Sequence, residues 1–303
     1  MRTLFVGAGA TGGYFGGRLA SAGQDVTFLV RPGRAEVLRR RGLQIHGPDG
    51  STTVQPRLIT AVDGHYDLVV LAVKSYGLEQ AMLDLAPAVG PDTIVVPLLN
   101  GMRHVDELVG AFGPERAWGG VCMIQATLDE QGDVSQLTGL HRIGYGPLDG
   151  AEDPRLPSVT EALSGPEFDS HPSRTIVQDM WEKWVFLASL GAATTLMRAS
   201  IGEINATPGG PDLGARIAAE ALAIASAAGH QPRVGAVALL QSGLESSEPT
   251  TSSMYRDMAA GLPVEADAII GDLVAEAGKH EVPVPMLTAA YTNLTIYSAR
   301  RSG

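Results

Sequence analysis

Two patterns of apolar residues divide this chain. Up to about residue 172, short and nearly continuous apolar runs recur: Arg2-Thr3-Leu4-Phe5-Val6, Asp25 to Val30, Asp67 to Val73 and Thr93 to Leu98. Strands of a parallel sheet are covered on both faces and read this way. Helical stretches lie between them. Gly13 to Ala20 suits a helix packed tightly on the first strand, and Ala35 to Arg41 stops at Gly42, a C-cap residue. Gln44-Ile45-His46 and Thr52-Thr53-Val54 are more polar but also strand-like. Ala117 to Leu137, rich in β-branched residues, glycine and methionine, is expected to add strands that finish the sheet. Gly146 to Pro172, with five prolines and many acids, reads as the end of the first domain. Beyond it the strand runs stop. Ala/Leu-rich segments with helical spacing follow at 176–198, 212–229, 234–243 and 264–280, with a last one from about 285.

Length agrees with that division, because 303 residues exceed one typical domain. With 45% apolar and 18% charged residues the composition is that of a soluble globular protein. No apolar run reaches the ~18 residues that span a bilayer. The first strand follows directly on Met1, so no signal peptide is expected and the cytoplasm is the expected location. The single cysteine, Cys122, fits a reducing compartment. A net charge of -11 argues against nucleic acid or an anionic membrane as partner. Any anion site must therefore be built locally from few basic residues, and no metal is expected.

The first candidate site follows the first strand: Gly7-Ala8-Gly9-Ala10-Thr11-Gly12. A G-x-G-x-x-G between strand and helix is the dinucleotide-binding fingerprint. Gly7 permits the tight turn, Gly9 leaves room for a pyrophosphate, and Gly12 lets helix and strand approach. The helix start then offers N–H groups to the phosphates. The expected fold class is α/β: an N-terminal Rossmann-type doubly wound sheet, residues 1–172, followed by an all-helical C-terminal domain, residues 173–303. In such folds the residue closing the second strand inspects the adenosine ribose. Here it is Arg31, with Arg34 nearby, instead of an acid. A guanidinium pairs with a 2′-phosphate and cannot accept from a 2′-hydroxyl, so NADP is the expected cofactor. Lys74 and Asn100 close two further strands, at the carboxyl edge where ligands bind.

The helical half adds Asp179-Met180-Trp181-Glu182-Lys183-Trp184, in which a lysine between two tryptophans either snorkels to the surface or is held in a site. Near a nicotinamide, such an ammonium could protonate the alkoxide formed as hydride reaches a ketone. Thr251-Ser252-Ser253 places hydroxyls at a helix start, as a carboxylate site or an ordinary N-cap. Glu265 opens a later helix, where the dipole favours an acid in any case.

Taken in order, the fingerprint, Val30-Arg31, Val73-Lys74-Ser75, Leu99-Asn100-Gly101, Trp181-Glu182-Lys183-Trp184, Thr251-Ser252-Ser253-Met254 and Glu265 resemble the ketopantoate reductase (2-dehydropantoate 2-reductase) family over nearly the full length. The resemblance implies NADPH-dependent reduction of ketopantoate to pantoate, in pantothenate biosynthesis. It makes Lys183 the general acid, Glu265 the residue orienting substrate and ribose, and Ser253 a substrate-binding residue. Lys74 and Asn100 take the strand-end roles, Asn100 also toward substrate, and Arg31 reads the phosphate. Expected partners are a small 2-oxo acid and a second copy of the chain.

One departure bears on substrate. Family members that reduce ketopantoate carry asparagines four and eight residues after the lysine, on its own helix face. This chain has Leu187 and Gly191 there. An apolar group facing a substrate hydroxyl costs on the order of 1–3 kcal/mol in lost hydrogen bonding. A family reductase of a more apolar 2-oxo acid or carbonyl is therefore the alternative. A non-catalytic NADP(H) sensor on the same scaffold is a third reading, against which the joint presence of Lys183 and Glu265 argues.

Overall fold

A computed structural model describes residues 1–48, 50–165 and 167–302. The chain forms two compact units, one of residues 1–99 and 104–177, the other of residues 100–103 and 178–303.

In chain order the first unit contains β1 (Thr3–Val6), α1 (Ala10–Ser21), β2 (Val26–Leu29), α2 (Pro32–Arg41), β3 (Leu43–Gly47), β4 (Gly50–Val54), β5 (Arg57–Ile59) and β6 (Tyr66–Leu71). Then come α3 (Leu78–Leu85), β7 (Val89–Pro97), α4 (Arg103–Phe112), β8 (Trp118–Leu128), β9 (Val134–Pro147), α5 (Leu156–Leu163) and β10 (Asp169–Pro172). Five strands make a parallel sheet in the order β5-β2-β1-β6-β7. Its strands feed two cores. Phe5 joins Phe15, Phe28 and Val70 on one face, while Leu4 and Val6 join Leu29, Val69 and Leu71 on the other.

The 117–137 region does not finish that sheet. β8 and β9 pair with each other antiparallel and, with β10, β3 and β4, build a second sheet. The reason is the connection between them. The short Asp129–Asp133 link can close an antiparallel pair, whereas a parallel neighbour needs a crossover of a dozen or more residues. In that link the Asp129 carboxylate accepts from the backbone N–H groups of Gln131 and Asp133, both at 2.9 Å. The polar stretch around Gln44 and Thr53 belongs to this second sheet as the β3–β4 hairpin.

α1 lies between the two sheets. A Cβ on Gly16 would sit 2.7 Å from the Phe28 ring of the parallel sheet, and one on Gly17 would sit 2.7 Å from Ile45 of the second. The glycines beyond the fingerprint therefore let one helix touch sheets on two sides.

The regular elements of the second unit are all helices among the described residues. It holds most of α6 (Ile176–Met197), then α7 (Ile201–Asn205), α8 (Gly210–Ala227), α9 (Val234–Leu244), α10 (Ser253–Ala259), a π turn (Asp267–Gly271) running into α11 (Asp272–Lys279), and α12 (Pro285–Ser302). The short α7 is additional to the helical segments read from sequence, and α10 begins where Thr251-Ser252-Ser253 are read as a helix start. α6 is the central helix: Trp181, Trp184, Val185, Ala188 and Ala192 are buried. Trp181 packs on Trp184 with ring centroids 4.9 Å apart and stacks on His230 at 4.8 Å. The Glu220 carboxylate caps α12, accepting from the N–H groups of Met286 and Leu287 at 3.0 and 2.9 Å.

Candidate active site

The fingerprint turn runs from β1 into α1. Gly7 has φ +96°, the left-handed region that disfavours a side chain, and a Cβ there would lie 2.9 Å from the Ala72 carbonyl oxygen. The turn is thus pressed against the end of β6, which leads directly to Lys74. A Cβ on Gly12 would run into the Gly7 carbonyl, so this glycine is what lets α1 start so close to its strand. A Cβ on Gly9 would meet nothing within 4 Å. Gly9 is also the N-cap of α1; no side chain caps that helix and its first turn holds no acid. Open space beside an uncapped helix start suits a phosphate, so the residues present fit a dinucleotide.

Arg31 is exposed at the N-cap position of α2, just past β2; its carbonyl accepts from the Ala35 N–H at 3.0 Å, and its guanidinium forms no hydrogen bond or ion pair with a described residue. Arg34 is placed differently. Its guanidinium donates to the Ala8 carbonyl through Nε at 3.1 Å and Nη2 at 2.9 Å, and to the Gly132 carbonyl at 2.8 Å. It braces the fingerprint turn, so of the two arginines only Arg31 extends away from the protein's own acceptors. Lys74 is exposed and precedes a 3-10 turn, Ser75–Gly77, its carbonyl accepting from the Gly77 N–H at 2.8 Å.

In the second unit, Lys183 lies on α6 between the two buried tryptophans and is itself only half-buried. Its neighbour Glu182 is tied elsewhere. Arg233 donates to Glu182 from Nε at 2.8 Å and from its backbone N–H at 2.8 Å, and also pairs with Asp179. Burial alone would raise the Glu182 carboxyl, but the bonds from Arg233 and Gln178 outweigh it and hold the group below its usual range. Glu182 is thus committed to Arg233 and Gln178.

Leu187 and Gly191 follow Lys183 at four-residue steps, and the space beside Gly191 is filled. A Cβ there would stand 2.6 Å from the Met254 methyl carbon. Thr194 and Thr195 further along α6 are fully buried with their hydroxyls engaged. Thr194 Oγ1 bonds Leu190 O at 2.7 Å and Ser252 Oγ at 2.8 Å, and Thr195 Oγ1 donates to Gly191 O at 2.7 Å. Neither replaces the absent amides. Ser252 is the N-cap of α10, accepting from the Tyr255 N–H at 2.9 Å. Ser253, the next residue, has no hydrogen bond from its hydroxyl to a described residue, so the two serines divide the cap and the free hydroxyl between them.

Chain neighbours of two sequence-predicted residues contact the π turn Asp267–Gly271, and a third precedes it in sequence. Glu265, 5% exposed, lies two residues before it. Trp184, adjacent to Lys183, donates its indole N–H to the Ile269 carbonyl at 2.8 Å. Gly101, adjacent to Asn100, has φ +82°, and a Cβ on it would run into the Ala268 carbonyl oxygen. Asn100 accordingly belongs to the helical unit by its contacts although it follows a strand of the sheet. Arg103, the first residue of α4 and the end of the same 100–103 segment, pairs with Asp272, just after the turn. Sequence reasoning passed over this turn. Its one legible signal is Glu265 followed by Ala266-Asp267-Ala268-Ile269-Ile270-Gly271, a helix start interrupted by glycine.

A strand–Gly-rich turn–helix on a doubly wound sheet, with a helical unit bearing a lysine and a buried glutamate, is the architecture of a dinucleotide-linked oxidoreductase. The family model described as "Ketopantoate reductase PanE/ApbA" matches residues 3–150, and that of its C-terminal part matches residues 175–298. The chain belongs to the ketopantoate reductase family. It is 37% identical to the uncharacterized oxidoreductase YkpB of Bacillus subtilis, over 99% of this chain and 100% of that one. The crystal structure of 2-dehydropantoate 2-reductase from Geobacter metallireducens superposes with a TM-score of 0.89 at 26% identity, covering 98% of this chain and 99% of that one. The ternary structure of D-mandelate dehydrogenase with NADH and anilino(oxo)acetate superposes with a TM-score of 0.88, over 99% of this chain and 100% of that one. At 21% identity this last likeness is one of fold.

Proposed function

We propose that the protein reduces a small 2-oxo acid to the 2-hydroxy acid with NADPH, and that its preferred substrate is more apolar than ketopantoate. In this reading the α1 turn, Gly7 to Gly12, receives the pyrophosphate, Lys74 stands near it, and Arg31 pairs with the 2′-phosphate. The coenzyme supplies the hydride for the carbonyl carbon. Lys183 donates the proton to the carbonyl oxygen, and Glu265 and Asn100 orient the substrate. Ser253, with its hydroxyl uncommitted, contacts the carboxylate. The helical domain also carries the homodimer contact, and the enzyme works in the cytoplasm.

The observation that carries the substrate reading is the face Lys183, Leu187, Gly191. It presents a leucine at one amide position, and a methionine methyl fills the other. The same fold holds anilino(oxo)acetate in D-mandelate dehydrogenase, which supports an apolar side chain on the oxo acid. The test is NADPH oxidation by the purified protein with a panel of 2-oxo acids, each product identified as the 2-hydroxy acid. Oxidation with none of them contradicts the reading.

A further inference from the structure

We infer that Arg103 is a positioning residue: by clamping Asp272 it holds the Asn100 loop on the π turn that also registers Lys183 and Glu265. The inference rests on the roles proposed above for those three residues. Its basis is the way three separate chain segments fasten to one irregular turn. π turns recur at functional sites because the extra residue re-aims the groups around it. Here Trp184 attaches α6 through the Ile269 carbonyl at 2.8 Å. The backbone of Gly101 lies against Ala268 so closely that only glycine fits. Glu265 is joined to the turn covalently and through the Ile269 N–H, which donates to the Glu265 carbonyl at 3.1 Å.

Of these fastenings the Asn100 loop has the weakest. Gly101 contributes a van der Waals contact and no hydrogen bond to a described residue, so the ionic clamp at Arg103 is what holds the loop. Asp272 is well placed for this. Its side chain is 12% exposed, its second oxygen, Oδ2, is buried without a hydrogen-bond partner among the described residues, and burial pushes its carboxyl up. Asp267 on the turn is of like charge, and Tyr291 donates to it at 2.7 Å, so that carboxylate is already engaged. Removing Arg103 leaves Asp272 buried and unpaired, and the loop is released from the turn.

The test is a cycle of Arg103→Ala and Asn100→Ala in the full chain, with Arg103→Lys as the conservative variant. Displacing a positioned group by about 1 Å can cost up to about a hundredfold, so Arg103→Ala should lower kcat/KM for the 2-oxo acid by about ten- to a hundredfold. Arg103→Lys should recover most of that loss. In the Asn100→Ala background the same substitution should cost less than about twofold, because the group it positions is gone. An equal loss in both backgrounds, or no loss in the first, overturns the inference. A second readout needs no substrate: the Trp184 indole N–H resonance should shift in Arg103→Ala while that of Trp118 stays. Inactivity of the unmodified protein toward every 2-oxo acid would defeat the functional reading alone. An unmoved Trp184 resonance would defeat the positioning role alone.

Discussion

The Met254 methyl group occupies the position where a side chain at residue 191 would begin, 2.6 Å from the Cβ that glycine lacks. Gly191 is buried inside α6, where a glycine costs up to about 1 kcal/mol relative to alanine. Its absence of side chain is what admits Met254 to the helix face. The two residues should therefore be coupled. Gly191→Ala should stabilise the protein by about 1 kcal/mol in a Met254→Ala background and by clearly less with Met254 present. Urea midpoints of the four proteins give the coupling; equal effects in both backgrounds would mean that the methionine yields at no cost.

In the proposed function, cofactor choice turns on Arg31. Arg34 donates to the carbonyls of Ala8 and Gly132, and no acid closes β2. Arg31→Ala should raise KM for NADPH by about tenfold, equivalent to ~1.4 kcal/mol, and leave NADH use nearly unchanged. Equal use of both coenzymes by the unmodified protein would exclude the role.

Lys183→Ala should lower kcat by roughly 10²–10⁴-fold, the range for losing a general acid, with NADPH binding barely changed. A fall of less than about threefold would make Lys183 a packing residue beside its tryptophans.

The parallel strands and the glycine-rich turn are legible in the sequence because each is a local signal: a continuous apolar run, or glycines at fixed spacing. The second sheet is not. β8 and β9 carry the same β-branched composition as any strand, and only the short link at Asp129–Asp133 reveals that they turn back on each other. Arg31 and Arg34 look alike on paper; they separate only when the fold brings the Ala8 and Gly132 carbonyls to one of them. Ser252 and Ser253 likewise divide the cap and the free hydroxyl by one residue of helix phase. The π turn is hidden most fully, because its partners Trp184 and Gly101 lie about 80 and 170 residues away in sequence and tertiary packing overrides local propensity.

Acid stability should depend on Glu182. Its carboxyl is held below the usual range in the folded state, against an unfolded value of about 4.3. A depressed carboxyl stabilises the fold at pH above that unfolded value, and the contribution fades as pH falls through the folded value. The unmodified protein should exceed Glu182→Gln by about 1 kcal/mol near neutrality, a modest figure because Arg233 is half-exposed, and by less at about pH 3. Denaturant midpoints at the two pH values check this; a constant difference would rule it out.

The most direct test of the proposed substrate preference is the ratio of kcat/KM for an unhydroxylated branched or aromatic 2-oxo acid to that for ketopantoate, both with NADPH. Leu187 and Met254 would bury an apolar substituent at roughly 25 cal/mol for each Å², and they offer a free hydroxyl no partner. The ratio should be one or more. Leu187→Asn should move it toward ketopantoate by up to about tenfold, through one restored hydrogen bond of ~1 kcal/mol. Efficient reduction of ketopantoate with no activity on apolar 2-oxo acids would contradict the preference.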